Sequence, residues 1–158
     1  MRKPIAVLPA ALLAATMSSP VAAQDSAWTP LALSGDNVVF VLGGPEARDR
    51  TREISLAVVP SEDSLGFGDD VGYFLNFYAV NCAERTSRHH TVHVFGPDGN
   101  IVSRRSIDQP TEAVPSDGSA MDLALRLKCL ADPPSVTGGV NQSRLIEAAN
   151  ALRRQTGG

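Results

Sequence analysis

Short apolar runs rich in β-branched and aromatic residues alternate along this chain with clusters of glycine, proline, aspartate and asparagine. Runs of that kind, bounded by turn residues, read as strands. The stretch 28–33, WTPLAL, predicts a first strand. Pro30 inside it marks an edge, because proline has no N–H to give to a ladder. After SGDN, the run NVVFVL at 37–42 predicts a second strand. A polar loop, GGPEARDRT, leads to a third at 53–59, EISLAVV. The run at 73–82, YFLNFYAVNC, carries the strongest signal. Tyr73, Leu75, Phe77 and Ala79 form one alternating set, and Phe74, Tyr78, Val80 and Cys82 form the other. A strand apolar on both sets is expected at the centre of a sheet, covered on both faces. A return strand follows at 88–95. Pro97 and Gly99 in GPDG suit a tight reversal. The stretch 100–107, NIVSRRSI, closes a meander.

Residues 119–131 fit two periods. Met121, Leu123, Leu125, Leu127 and Cys129 alternate with mostly polar partners, as in a strand. Ala120, Leu123, Ala124, Leu127 and Leu130 also share one helical face, with Asp122 and Arg126 opposite. Composition decides for a helix. Alanine, leucine, methionine, arginine and lysine favour it, and no β-branched residue occurs there. Ser116, Asp117 or Ser119 can cap its start, and Pro133 and Pro134 end it. Residues 143–154 read as a second amphipathic helix with Leu145, Ala149 and Leu152 as its stripe, widened by Ile146. Arg153 and Arg154 lie at its C-terminus, where the helix dipole favours positive charge. Whether this helix docks on the sheet is left open by the pattern. The predicted fold is α+β: an antiparallel meander of about six strands, a helix packed on it, and a C-terminal helix.

The N-terminus changes the compartment. Arg2 and Lys3 precede an alanine- and leucine-rich run interrupted by Pro9, and Val21, Ala22 and Ala23 supply small residues. That order is the order of a secretory signal peptide, with cleavage expected after Ala23. Residues 1–23 are therefore read as a signal, 24–132 as the α+β domain, and 133–158 as a linker with the C-terminal helix. The apolar run is shorter than the roughly 20 residues a membrane span needs. No later stretch serves as an anchor, and neither cysteine lies near the cleavage site, so no lipid attachment is expected. Losing Arg2 and Lys3 from 14 basic residues leaves 12 against 17 acidic ones, a net charge of −5. Such a chain has no general attraction for nucleic acid or anionic lipid.

Cys82 and Cys129 are the whole supply of cysteine. In an oxidising periplasmic or extracellular setting two cysteines pair, so a disulfide is expected to tie the central strand to the helix. The rival role, a nucleophilic Cys82, needs a lowered thiol pKa and a base in reach. Sequence shows neither.

Three further groups invite chemistry. His89, His90 and His93 crowd one stretch. On a helix His89 and His93 could share a metal. On a strand they are about 13 Å apart, and His89 and His90 face opposite ways. With 88–95 read as a strand, no metal site is expected. Glu62, Asp63, Asp69 and Asp70 sit in one long connection, but their spacing is not that of a calcium loop. Arg85, Arg88, Arg104 and Arg105 are the candidate binding residues. Arginine clusters suit carboxylate or phosphate groups, though single surface charges are the plainer reading. No nucleophile elbow, zinc-protease motif or phosphate loop occurs, so no catalytic residue and no cofactor are expected.

These residues carry a resemblance. A tryptophan-led strand at Trp28 is followed by a strand ending in Cys82, basic Arg85 and Arg88, Gly99 in the reversal, Pro115 and Ser116, and then a helix ending in Cys129. From Trp28 to about residue 130 the chain resembles the surface-adhesin protein E family of bacterial envelope proteins. The resemblance implies an antiparallel sheet joined to a helix through the disulfide. It also implies a non-enzymatic binding role at the cell envelope, toward a protein or glycan partner. The chain departs from the pattern in lacking a lipid-anchor cysteine and a tryptophan before Pro115. A small periplasmic hydrolase, a metal-binding protein and an inhibitor of an exported enzyme are the alternatives.

Overall fold

This computed structural model describes residues 27–34, 37–43, 53–61, 70–114, 116–129 and 139–156. The signal segment, and Glu62, Asp63 and Asp69 of the acidic connection, lie outside the described residues.

The β-branched and aromatic runs form strands β1 (Ala27–Ser34), β2 (Asn37–Gly43), β3 (Glu53–Val59), β4 (Tyr73–Asn81), β5 (Thr86–Phe95) and β6 (Ile101–Ser106). Each pairs antiparallel with its predecessor, so the expected six-strand meander is observed. A two-residue β7 (Glu112–Ala113) adds to the outer side of β5 beyond the end of β6. Two helices follow: α1 (Ala120–Cys129) and α2 (Leu145–Thr156), the latter entered through a 3-10 turn at Gln142–Arg144. No helix among the described residues is long and apolar enough to cross a membrane.

The two alternating sets of β4 belong to two separate cores. Tyr73 and Leu75 are buried with Trp28, Val38, Phe40, Ala57, Val59 and Phe95 beneath Leu145 and Ala149 of α2. Val80 is buried on the other face with Val39, Val41, Ile54 and Leu56 beneath Ala124 and Leu125 of α1. The sheet is thus a middle layer between helices, which is why its inner strands are apolar on both sides. The C-terminal helix docks through the stripe read for it, with Ile146, Ala148 and Leu152 packed around the buried pair.

The helix at 120–129 forms as expected, and most of its expected face is the packed one: Ala124 is buried and Ala120 and Leu127 pack beside it. The face is broader on one side, where Asp122 and Leu125 are buried and Met121 packs, whereas Leu123 stays outside this core. Asp122 turns inward with its carboxylate bonded to Arg85, Gly118 and Arg126.

The two sheet edges differ. At the β1 edge Pro30 removes a donor, and the register slips between Pro30 and Ala32. Trp28 and Val140 then exchange backbone hydrogen bonds of 2.8 Å each. Part of the segment read as a linker therefore covers the start of this edge. The close approach needs Gly139, where a Cβ would stand 2.6 Å from that of Ala27.

A second close approach seats α2. A Cβ on Gly72 would lie 2.6 Å from the Gly96 carbonyl oxygen and 2.9 Å from Ile146 Cδ1. Gly72→Ala is expected to cost about 1–3 kcal/mol through overpacking, read as a lower Tm in a thermal melt. An unchanged Tm would show that β4 and the β5–β6 turn have room to spread.

Candidate functional site

The turn between β4 and β5 is built by Asn81, whose Oδ1 accepts the N–H groups of Ala83 at 3.0 Å and Glu84 at 3.3 Å. Arg85 closes it in the left-handed region, at φ 50. Its carbonyl accepts the Val114 N–H at 2.8 Å, just beyond the end of the two-residue β7. This small turn also holds α1 at both ends. At the C-terminal end Cys82 and Cys129 form the expected disulfide, with Cα atoms 5.6 Å apart. At the N-terminal end stands Asp122, fully buried.

Asp122 receives four donors. Arg85 Nη2 donates to Oδ1 at 2.6 Å, and Arg126 Nε to the same oxygen at 3.1 Å. Arg126 Nη2 and the Gly118 N–H donate to Oδ2 at 2.7 and 2.9 Å. Ser119 caps the helix by accepting the Asp122 N–H on its Oγ at 3.3 Å. Burial pushes the Asp122 carboxyl up. The Gly118 amide and the two guanidinium groups outweigh it and hold the carboxyl below its ordinary value. A buried carboxylate is tolerated when paired and hydrogen-bonded in this way. Arg85, read from sequence as a binding candidate, is thus also a tie between hairpin and helix. Asp122 was missed, because spacing placed it on the polar side of α1. The available signal was Ser119 three residues before Asp122, an acid at the place where a capping box carries its acceptor.

The other three arginines separate. Arg88 lies opposite Ala79, and Arg104 opposite His93, itself opposite Leu75. Ala79 and Leu75 belong to one alternating set, so Arg88 and Arg104 share the face that carries α2. Arg105 lies opposite Val92 and points to the other face, toward the α1 side. The four do not gather into one cluster. Among the described residues no carboxylate pairs with Arg88, Arg104 or Arg105.

The histidines also separate, for a reason in the ladder. Phe77 faces Thr91 and Tyr78 faces His89, so His90 is an extra residue on β5, a bulge. The His89 ring stacks on Tyr78 at 4.5 Å, with Nε2 3.1 Å from the Thr91 carbonyl. Burial lowers the His89 pKa, the neighbouring His90 lowers it further, and the Thr91 carbonyl opposes both. His90 sets Nδ1 2.9 Å from Thr91 Oγ1 and Nε2 3.3 Å from Glu53 Oε2. His93 leans against Phe77 at 4.9 Å and Phe95 at 6.5 Å. Each ring has its own neighbours. Among the described residues no three histidine, cysteine or acidic side chains are placed to hold a metal ion.

A shallow cleft of about 330 Å³ opens between Tyr73, Gln142, Ser143 and Ile146 on one side and the Pro97–Gly99 turn on the other. Gln142, Tyr73 and Asp98 in its lining have partners. Gln142 Nε2 donates to the Tyr73 hydroxyl at 2.9 Å. Burial raises the Tyr73 pKa, and the Gln142 bond partly offsets it. Asp98 accepts the N–H of Asn100 at 3.0 Å and its Nδ2 at 2.7 Å, and both bonds lower its pKa.

Exposed large apolar residues lie on both edge strands: Leu33 of β1 at 45%, and Ile101 at 44% and Val102 at 56% on β6. Arg104, Arg105 and Ser106 are exposed as well, so both faces of β6 lie open. No family model, no curated protein and no solved structure matches the chain.

Proposed function

We propose that the chain is an exported, non-enzymatic cell-envelope protein of the surface-adhesin E kind, which binds a partner through the β5–β6 end of its sheet. One observation carries this reading. Arg88, Arg104 and Arg105 stand without a carboxylate partner among the described residues, on a protein with an acidic balance. Arg104 and Arg105, one on each face of β6 and beside exposed Ile101 and Val102, suit an anionic partner, since guanidinium groups recognise carboxylates in a fixed geometry.

Export is supported by the signal-like N-terminus and by the disulfide, a bond that persists in oxidising compartments. A non-enzymatic role is supported by the employment of the titratable groups. Asp122 holds a helix, His90 lies against Glu53, and Tyr73, Gln142 and Asp98 of the cleft are bonded to their neighbours. A protein partner is favoured over a glycan, because the open region is a strand whose outer backbone edge is paired by nothing among the described residues.

The test is a pull-down with the chain starting at Gln24, against envelope and host extracts. The double variant Arg88→Glu/Arg104→Glu is expected to retain about a tenth or less of the partner captured by the wild type. Equal capture by both would move the binding site away from this face.

A further inference from the structure

The two edges of the sheet are treated differently. The β1 edge is interrupted by proline and bridged at Trp28 by Val140; both edge strands carry a register slip, between Pro30 and Ala32 on β1 and at Val102 on β6. The β6 edge is closed by nothing among the described residues, because β7 lies in line with β6 along β5 rather than outside it. An open edge presents a row of unpaired N–H and C=O groups and is a template for another strand. The direction of those groups follows from the ladder. The Ile107 N–H bonds to the His90 carbonyl at 2.9 Å, so it points inward. Alternation then turns the backbone groups of Arg105 toward β5 and those of Arg104 and Ser106 outward.

The side chains of this strand define what can pair with it. Ile101 and Val102 are exposed apolar residues at its start. Arg104 and Arg105 follow, one on each face, with no carboxylate partner among the described residues. Cross-strand neighbours stabilise a pair when charges are opposite and apolar residues meet, and like charges oppose it. Two adjacent arginines therefore reject basic strands and admit acidic ones.

We infer that the β6 edge takes up an extended acidic segment of a partner protein as an added antiparallel strand, reading acid-acid-X-apolar-apolar from its N-terminus. This rests on the binding reading above and specifies its partner. The order follows from antiparallel pairing: the two acids meet Arg105 and Arg104 on the regular part of β6, and the apolar pair lies against the bulge formed by Val102 and Ile101. Main-chain bonds supply affinity in such an addition, and alternate side chains supply selectivity. The arginines of this strand thus both guard the edge and select its occupant.

The probe is a capped, fluorescein-labelled peptide, Thr-Thr-Glu-Glu-Ser-Val-Val-Thr-Thr, titrated with the chain starting at Gln24 and followed by anisotropy. Its control is the same composition reversed, Thr-Thr-Val-Val-Ser-Glu-Glu-Thr-Thr. The forward peptide is expected to bind about tenfold or more tightly than the reversed one. Arg104→Glu/Arg105→Glu should weaken the forward peptide by about the same factor and favour a peptide with lysines in place of its glutamates. Ser106→Pro removes an outward N–H without touching the β5 ladder, and should weaken binding while leaving the circular dichroism spectrum unchanged. Equal binding of both peptide orders would show simple charge attraction and overturn strand addition. Absence of binding by either would overturn it too. If the extract partner is still lost from Arg88→Glu/Arg104→Glu in that case, the binding face stands without the edge pairing. If neither assay responds, both readings fall.

Discussion

The double variant Cys82→Ser/Cys129→Ser is expected to melt roughly 15 °C below the oxidised wild type. The cross-link closes a loop of 47 residues in sequence separation. Chain entropy removed from the unfolded state by such a loop amounts to about 4 kcal/mol. For a chain of about 130 residues, 1 kcal/mol moves Tm by about 4 °C. The geometry adds a local consequence. Both cysteines are exposed, and the bond fixes the last residue of α1 to the turn after β4. Its loss leaves α1 held to the turn by Asp122 and to the sheet by Ala124 and Leu125. The variant should therefore still fold. Differential scanning calorimetry of the two proteins, and of the wild type with reductant, checks this. A Tm within about 2 °C of the wild type would show that the cross-link constrains little.

Asp122→Asn is expected to lower Tm by roughly 10 °C, although it changes one atom. The carboxylate accepts two donors on each oxygen. An asparagine side chain offers one acceptor oxygen, and its NH₂ would face two N–H groups. Whichever way it turns, two donors lose their acceptor and meet another donor. The pH dependence has a definite sign. The folded carboxyl lies below its ordinary value, so its contribution is complete above the unfolded pKa of about 3.9. It is lost as pH falls through the lowered folded value. The Tm gap between wild type and Asp122→Asn should be constant from about pH 8 to 5 and shrink below about pH 4. A gap that persists unchanged at pH 2.5 would contradict the charged role. Arg85→Gln should cost less than Asp122→Asn, since Arg126 still pairs both oxygens of the carboxylate.

The strands were legible because their signal is local. In β4, two apolar sets in one run predicted a central strand with both faces covered, and the two cores divide along those sets. The helix at 120–129 was decided by composition over a period-two pattern that its leucines also satisfy. Its orientation was legible in part, through Ala120, Ala124 and Leu127. A leucine count assigns Asp122 to solvent, and only the turn at Arg85, 37 residues earlier, reveals why it is inside. The same limit hid the pairings of Val140 and β7, since one or two residues carry no period.

The candidate site was legible in part. Arg104 and Arg105 are neighbours in sequence and therefore on opposite faces of a strand. Arg88 lies on the face of Arg104, offset along β5 by a bulge at His90. Sequence proximity had suggested one cluster, and strand alternation divides it. Arg85 was singled out for charge, and the charge serves α1. What remained unread was the asymmetry of the edges. It depends on Val140 reaching back across more than a hundred residues to Trp28.

The β4–β5 turn holds α1 from both ends, by the disulfide and by Asp122. Amide hydrogen exchange of the chain starting at Gln24, oxidised and reduced, tests it most directly. Reduction is predicted to speed exchange in the C-terminal half of α1 and in the turn at 82–85. Gly118, the start of α1, the inner strands β2 to β4 and α2 should keep their protection. Loss of protection along the whole of α1, or spread evenly over the sheet, would contradict the account.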